Sequence, residues 1–178
     1  MSSDISRFER ARFAFILLTL FLPALPATAA TGTINVSGQI DQGGCMISGG
    51  KDISIVLPDA DSTDFASVGD VAGQSPEYNI SLSCTTGAKV MIMFNGQNDP
   101  SYNNKTVLKN SGLATGIGVQ LLTRHSGVIT PITLGETWTI IDNAPLYVTT
   151  TLAARYIRTG DMHGGTVVAN ATYDITYE

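Results

Sequence analysis

The chain has 178 residues, with 10 lysines and arginines against 15 aspartates and glutamates, for a formal net charge of −5. With that balance and no basic cluster, it lacks the electrostatic footprint of a nucleic-acid binder. Its 2 cysteines and 2 histidines, far apart in sequence, are too few for the usual four-ligand zinc site, and no cofactor is expected.

Residues 1–29 read as an export signal. Arg7, Arg10 and Arg12 give a basic start, Phe13 to Leu25 is an apolar run, and Ala27-Thr28-Ala29 supplies a small-residue cleavage pattern. A membrane-spanning helix needs about 20 apolar residues, and Pro23 and Pro26 interrupt this run. Cleavage before Ala30 leaves 149 residues, the size of one domain.

Residues 30–41 form an extension ahead of the first cysteine. Within it, Thr31 to Ile40 read TGTINVSGQI. Ile34, Val36 and Ile40 share one parity with Gly32 and Gly38, while Thr33, Asn35, Ser37 and Gln39 share the other. That is the period of a half-buried strand. A glycine weakens a strand unless something must approach closely there, so Gly38 marks a shallow position. The alternation fits two arrangements. One is a strand that lies in a groove of another molecule. The other is an ordinary first strand of the chain's own sandwich.

Residues 42–178 read as one all-β domain. Tyr78, Ile80, Leu82 and Cys84 alternate with Asn79, Ser81 and Ser83. Lys89 to Phe94 is a near-continuous apolar run, the pattern of a strand buried on both faces. Ile117, Val119 and Leu121 make another row, followed by Trp138 and Ile140 and then by Leu146 to Ile157. Asp61 to Phe65 fits one short helical turn. Turn signals separate the strands, among them Gly49-Gly50, Asn95-Gly96, Ser126-Gly127 and Gly164-Gly165. This spacing suggests a sandwich or barrel. The last strand alternates cleanly, with Val167, Ala169, Ala171, Tyr173, Ile175 and Tyr177 on one face. A terminal strand with a full apolar face needs a covering strand, or it presents an edge that invites pairing.

Cys45 and Cys84 read as one disulfide in an exported protein, with two buried thiols as the alternative. Such a bridge closes a loop of about 40 residues, worth roughly 4 kcal/mol in the chain-entropy model. His125 and His163 lie in loop-like stretches, with no acid or nucleophile pattern around either, so no enzyme is expected. Trp138 reads as a core residue, although a lone tryptophan can also stack on a sugar.

Taken in order, these features resemble the subunits of chaperone–usher fimbriae of the type 1 pilus kind. The resemblance rests on the signal, the extension with its glycine, GQIDQGGCMI around the first cysteine and YNISLSC closing on the second. It rests further on GIGVQLLTRHSGVITPI, and on LAARYIRTG leading to a final strand with Gly165 before it and Tyr177 penultimate. The resemblance implies an incomplete immunoglobulin-like sandwich that lacks its last strand and is completed by a donor strand. Strand addition between chaperone and pilin is a known mode of recognition, and the resemblance extends it to this chain. It implies that Gly32, Ile34, Val36, Gly38 and Ile40 enter five pockets of a neighbouring subunit. The groove and chaperone-binding residues it implies are Gly165, Tyr173, Ile175, Tyr177 and Glu178, with Tyr173, Ile175 and Tyr177 pointing into the groove. The terminal carboxylate of Glu178 meets basic residues of a periplasmic chaperone. The extension and the groove are then expected to meet between molecules and not within one.

The partners implied are that chaperone, an outer-membrane usher and neighbouring fimbrial subunits, with no nucleic acid and no small-molecule substrate. The route implied runs through the periplasm to the cell surface. The GGC context and TGIGVQLL look more like a minor, adaptor-type subunit of an adhesive fimbria than like the rod subunit. The competing class is a secreted carbohydrate- or receptor-binding sandwich, using loops such as Gln97 to Lys105 and Arg124 to Gly127.

Overall fold

The computed structural model describes residues 32–39, 44–102, 104–125 and 127–178, the first of these segments through its backbone pairing. The expected signal, together with Ile40 and Asp41, lies outside the described residues.

Two sheets face each other. The first runs in the order β10 (Thr137–Ile141), β6 (Val90–Gly96), β12 (Val167–Tyr177), β1 (Gly32–Gln39) and β3 (Ile53–Leu57). The second runs β2 (Cys45–Ser48), β5 (Tyr78–Cys84), β11 (Tyr147–His163), β8 (Thr115–His125) and β7 (Leu108–Lys109). Two short strands flank it: β4 (Val71–Ala72) pairs with β11, and β9 (Val128–Pro131) pairs with β8. The inward rows of both sheets make one core, with Ile55, Ile92, Phe94 and Tyr173 from the first and Ile80, Leu82, Leu121, Leu152 and Tyr156 from the second. Burying an aliphatic side chain of this size is worth about 1.5–3 kcal/mol each. The fold is an all-β, immunoglobulin-like sandwich.

The short turn expected over Asp61 to Phe65 is a 3₁₀ turn, Ser62–Asp64. Asp61 caps it by accepting from the Thr63 amide, and the Asp64 side chain reaches back to the Asp61 amide. Four expectations need correction. The run from Lys89 to Phe94 is not buried on both faces. Val90, Ile92 and Phe94 are buried while Met91 and Met93 are half-buried, because alternate residues of a strand point to opposite faces and only one of these faces the core. Asn95-Gly96 is not a turn. Gly96 ends β6, where a side chain would meet Leu108 Cδ2 and the Asn170 carbonyl, so the glycine serves a close approach. His125 and His163 do not lie in loops; they end β8 and β11, which run further than their apolar rows.

Candidate functional site

The site grows from the C-terminal strand. Val167, Ala169, Ala171, Tyr173 and Ile175 of β12 are all buried, as the alternation requires. On one side β12 pairs antiparallel with β6, from Ala171 opposite Gly96 to Tyr177 opposite Val90. Toward its start β12 outruns β6, and the loop from Asn110 to Ala114 takes over. Asn110 Oδ1 accepts from the Val168 amide at 2.8 Å, and the Ser111 amide donates to the Val168 carbonyl at 2.8 Å. This anchor is not legible in the sequence, where Ser111-Gly112 marks only a turn.

On its other side β12 pairs with β1, in parallel, from Gly32 opposite Val167 to Gln39 opposite Asp174. β1 in turn pairs antiparallel with β3, from Gly32 opposite Leu57 to Val36 opposite Ile53. Among the described residues, β1 is the strand that joins β3 to the sheet. Strands in a sheet sit about 4.8 Å apart, so taking β1 away opens a gap about two spacings wide. That gap has the place of the groove that the resemblance implies.

The expectation that extension and groove meet only between molecules is therefore corrected for the single chain: here they pair within it. The reason is proximity. A short tether holds the extension at high effective concentration beside an edge that needs a partner. This is the second arrangement that the alternation allowed, an ordinary strand of the chain's own sandwich.

The register matches size against size. Gly32 lies opposite Val167 and Leu57, Ile34 opposite Ala169 and Ile55, and Val36 opposite Ala171 and Ile53. Gly38 lies opposite Tyr173. Along β12 the small residues thus stand where the extension is branched, and the large ones stand where it is glycine. Ile40, the fifth expected position, lies outside the described residues.

Tyr173 is 1 % exposed, and its hydroxyl donates to the Lys51 carbonyl at 3.0 Å. Burial, and secondarily the charge of Asp52, pushes its phenol above the ordinary value of 10.0. Ile175 is buried, while Tyr177 is only half-buried. The Tyr177 ring lies against Gly44, where an added Cβ would come within 2.9 Å of it. Glu178 extends the ladder: its amide donates to the Lys89 carbonyl at 3.0 Å, and its own carbonyl oxygen accepts from the Lys89 amide at 2.8 Å. Gly165 lies two residues ahead of the first residue of β12. There a Cβ would lie 2.6 Å from the Ala114 nitrogen, so glycine lets the two backbones cross. Cys45 and Cys84 are opposite each other on β2 and β5 and are joined as a disulfide. Trp138 is half-buried and lies against the core, as the sequence suggested. Among the described residues there is no group of three or more His, Cys, Asp or Glu able to hold a metal ion.

The family model described as "Fimbrial protein" matches residues 34–178. The chain belongs to the fimbrial protein family. It is a structural subunit of chaperone–usher fimbriae, not an enzyme, and it is exported to the cell surface. Among its relatives is the major fimbrial subunit SMF-1 of Stenotrophomonas maltophilia, 32% identical over 59% of this chain and 64% of that protein. The type-1 fimbrial protein, A chain, of Escherichia coli K12 is 28% identical over 92% of this chain and 95% of that one. A crystal structure of a Burkholderia pseudomallei antigen and type I fimbria protein is similar at a TM-score of 0.48, with 30% identity, covering 84% of this chain and 97% of that one.

Proposed function

We propose that this fimbrial subunit is polymerised by strand exchange, in which residues 30–41 leave their own groove and enter that of the next subunit. A periplasmic chaperone holds the groove before the exchange, and an outer-membrane usher is where it occurs. The observation that carries the reading is the fit of β1 between β12 and β3. Among the described residues one strand, β1, stands between β12 and β3, and it lies ahead of Cys45 in the sequence. The size order glycine, aliphatic, aliphatic, glycine at 32, 34, 36 and 38 also reads the same in either direction. Groove positions 167 to 173 thus meet the same sizes whether the strand comes in parallel from its own chain or antiparallel from a neighbour. Gly32, Ile34, Val36, Gly38 and Ile40 are the inserted positions. Tyr173, Ile175 and Tyr177 belong to the receiving strand, and Glu178 sits at its chaperone-facing end.

Deleting residues 30–41 tests this. The truncated subunit is expected to leave the periplasm bound one-to-one to a chaperone and to enter no fibre. Fibres built from the truncated subunit would overturn the reading.

The place in the fibre has two readings. The GGC and TGIGVQLL stretches favour a minor, adaptor-type position that contributes to adhesion through its neighbours. The names of the relatives, a major subunit and A chains, favour a repeated rod position. Subunit stoichiometry in purified fibres separates them: one or a few copies per fibre supports the first, and hundreds support the second.

A further inference from the structure

The second sheet carries a face that the pairing of β1 leaves unused. Its first three strands, β2, β5 and the start of β11, turn Met46, Ser48, Asn79, Ser81, Ser83, Tyr147 and Thr149 outward. The stretches 44–50, 78–88 and 143–154 that build it contain no Asp, Glu, Lys, Arg or His. The terminal row of this face is apolar. Met46 lies opposite Ser83, and Ser83 lies opposite Tyr147, so the two large side chains flank one serine. Met46 is 74% exposed, Tyr147 70%, and the adjoining Leu146 54%. Charge returns at the borders, with Lys51 and Asp52 beyond β2, Lys89 and Asp142 next to the uncharged stretches, and the Arg124–Glu77 ion pair beyond β11. Depletion of charge with exposed methionine and tyrosine is the composition of an interface core.

We infer that this row, Met46, Leu146 and Tyr147, is the body-to-body contact with the subunit that receives the extension. The inference rests on the strand-exchange reading for its occupant. Six peptide steps separate Gln39 from Cys45, a reach of about 20 Å at full extension. A neighbour holding residues 32–39 must therefore sit against the end of the molecule where Cys45 lies, and Met46 is the next residue. The sheet-one side of that end is charged, with Lys89 and Glu178 paired there. The uncharged row is the part of this end that gains by losing water.

Hydroxyl-radical footprinting of the full mature chain tests the contact without any substitution. Met46 and Tyr147 are expected to label readily in the monomer and roughly fivefold less in purified fibres, as core interface positions are excluded from solvent. Met162, near the far end of β11, serves as the internal reference. Equal labelling of Met46 and Tyr147 in monomer and fibre would overturn the inference. A second arm uses Met46→Lys with Tyr147→Glu. These fibres are expected to fall apart at lower denaturant than wild type, while the monomer unfolds unchanged; wild-type fibre stability would count against the contact. The strand-exchange reading fails separately, by fibres forming without residues 30–41, and that outcome leaves the footprint of the row to be read on its own terms.

Discussion

The hydroxyl of Tyr173 on β12 reaches the backbone carbonyl of Lys51, just ahead of β3, at 3.0 Å. Between these two points runs β1, and the residue opposite Tyr173 is Gly38. The β1–β3 pairing ends at Val36 opposite Ile53, two residues short of Gly38 on one strand and of Lys51 on the other chain segment. The phenol thus reaches across the strand beside Gly38, one of its two glycines. The shallow slot has a named cause, and the cause is in the receiving strand.

Replacing Gly38 with leucine therefore puts a side chain in the way of the Tyr173 ring or its hydrogen bond. Overpacking of this kind costs about 1–3 kcal/mol. Urea unfolding of the monomer is expected to show that loss. Tyr173→Ala has its own cavity cost, but the double variant is expected to be less destabilised than the two single losses added together, which is the sign of direct coupling. Simple additivity would place the two residues apart.

The same tyrosine sets an alkaline limit. Its phenol is held above the ordinary value of 10.0 by burial, with Asp52 adding to the effect. A folded pKa above the unfolded one means that the folded state keeps the proton more tightly. The stabilisation is complete below pH 10 and is lost as pH rises through the folded value. Unfolding midpoints followed between pH 8 and about 12 are expected to fall steeply above pH 10, and Tyr173→Phe is expected to flatten that fall while giving up the bond to Lys51.

The disulfide anchors the root of the extension. Cys45 and Cys84 close 39 residues of sequence and tie the edge strand β2 to β5, directly after residues 40–44. Its removal by Cys45→Ala with Cys84→Ala is expected to cost roughly 4 kcal/mol on the chain-entropy scale. Thermal unfolding with and without reductant checks this in the wild-type chain. The double variant is expected to be insensitive to the reductant.

Much of this is legible in the alternation. The rows Ile80–Leu82–Cys84 and Val167 to Ile175 are buried as their period requires, and the cysteines pair. The period-two signal reports which face is covered, and it says nothing of what covers it. That is why β1 reads equally well as a donor and as a first strand, and why its pairing with β12 had to come from the structure. Contacts made through backbone are also hidden. Asn110 holding Val168, Lys51 accepting from Tyr173 and Gly165 crossing Ala114 leave no periodic trace. The false turn signal at Asn95-Gly96 has the same origin, since a glycine that admits Leu108 looks like a glycine that bends the chain.

Gly32 is the position where sequence alone would see an empty slot. The register fills it, because Val167 and Leu57 stand on its two sides and both are buried. Gly32→Leu is thus expected to destabilise the monomer by about 1–3 kcal/mol, as Gly38→Leu does, whereas Gly32→Ala is expected to cost less. In the monomer, Val167→Ala makes room, and the double variant with Gly32→Leu is expected to recover part of the loss in urea unfolding. In a fibre that takes the strand antiparallel on the same four positions, residue 32 meets Tyr173 and not Val167. Val167→Ala then gives no relief, and fibre dissociation in denaturant is expected to stay as low as for Gly32→Leu alone. Relief by Val167→Ala in both monomer and fibre would show that the strand keeps its parallel sense when it passes to a neighbour.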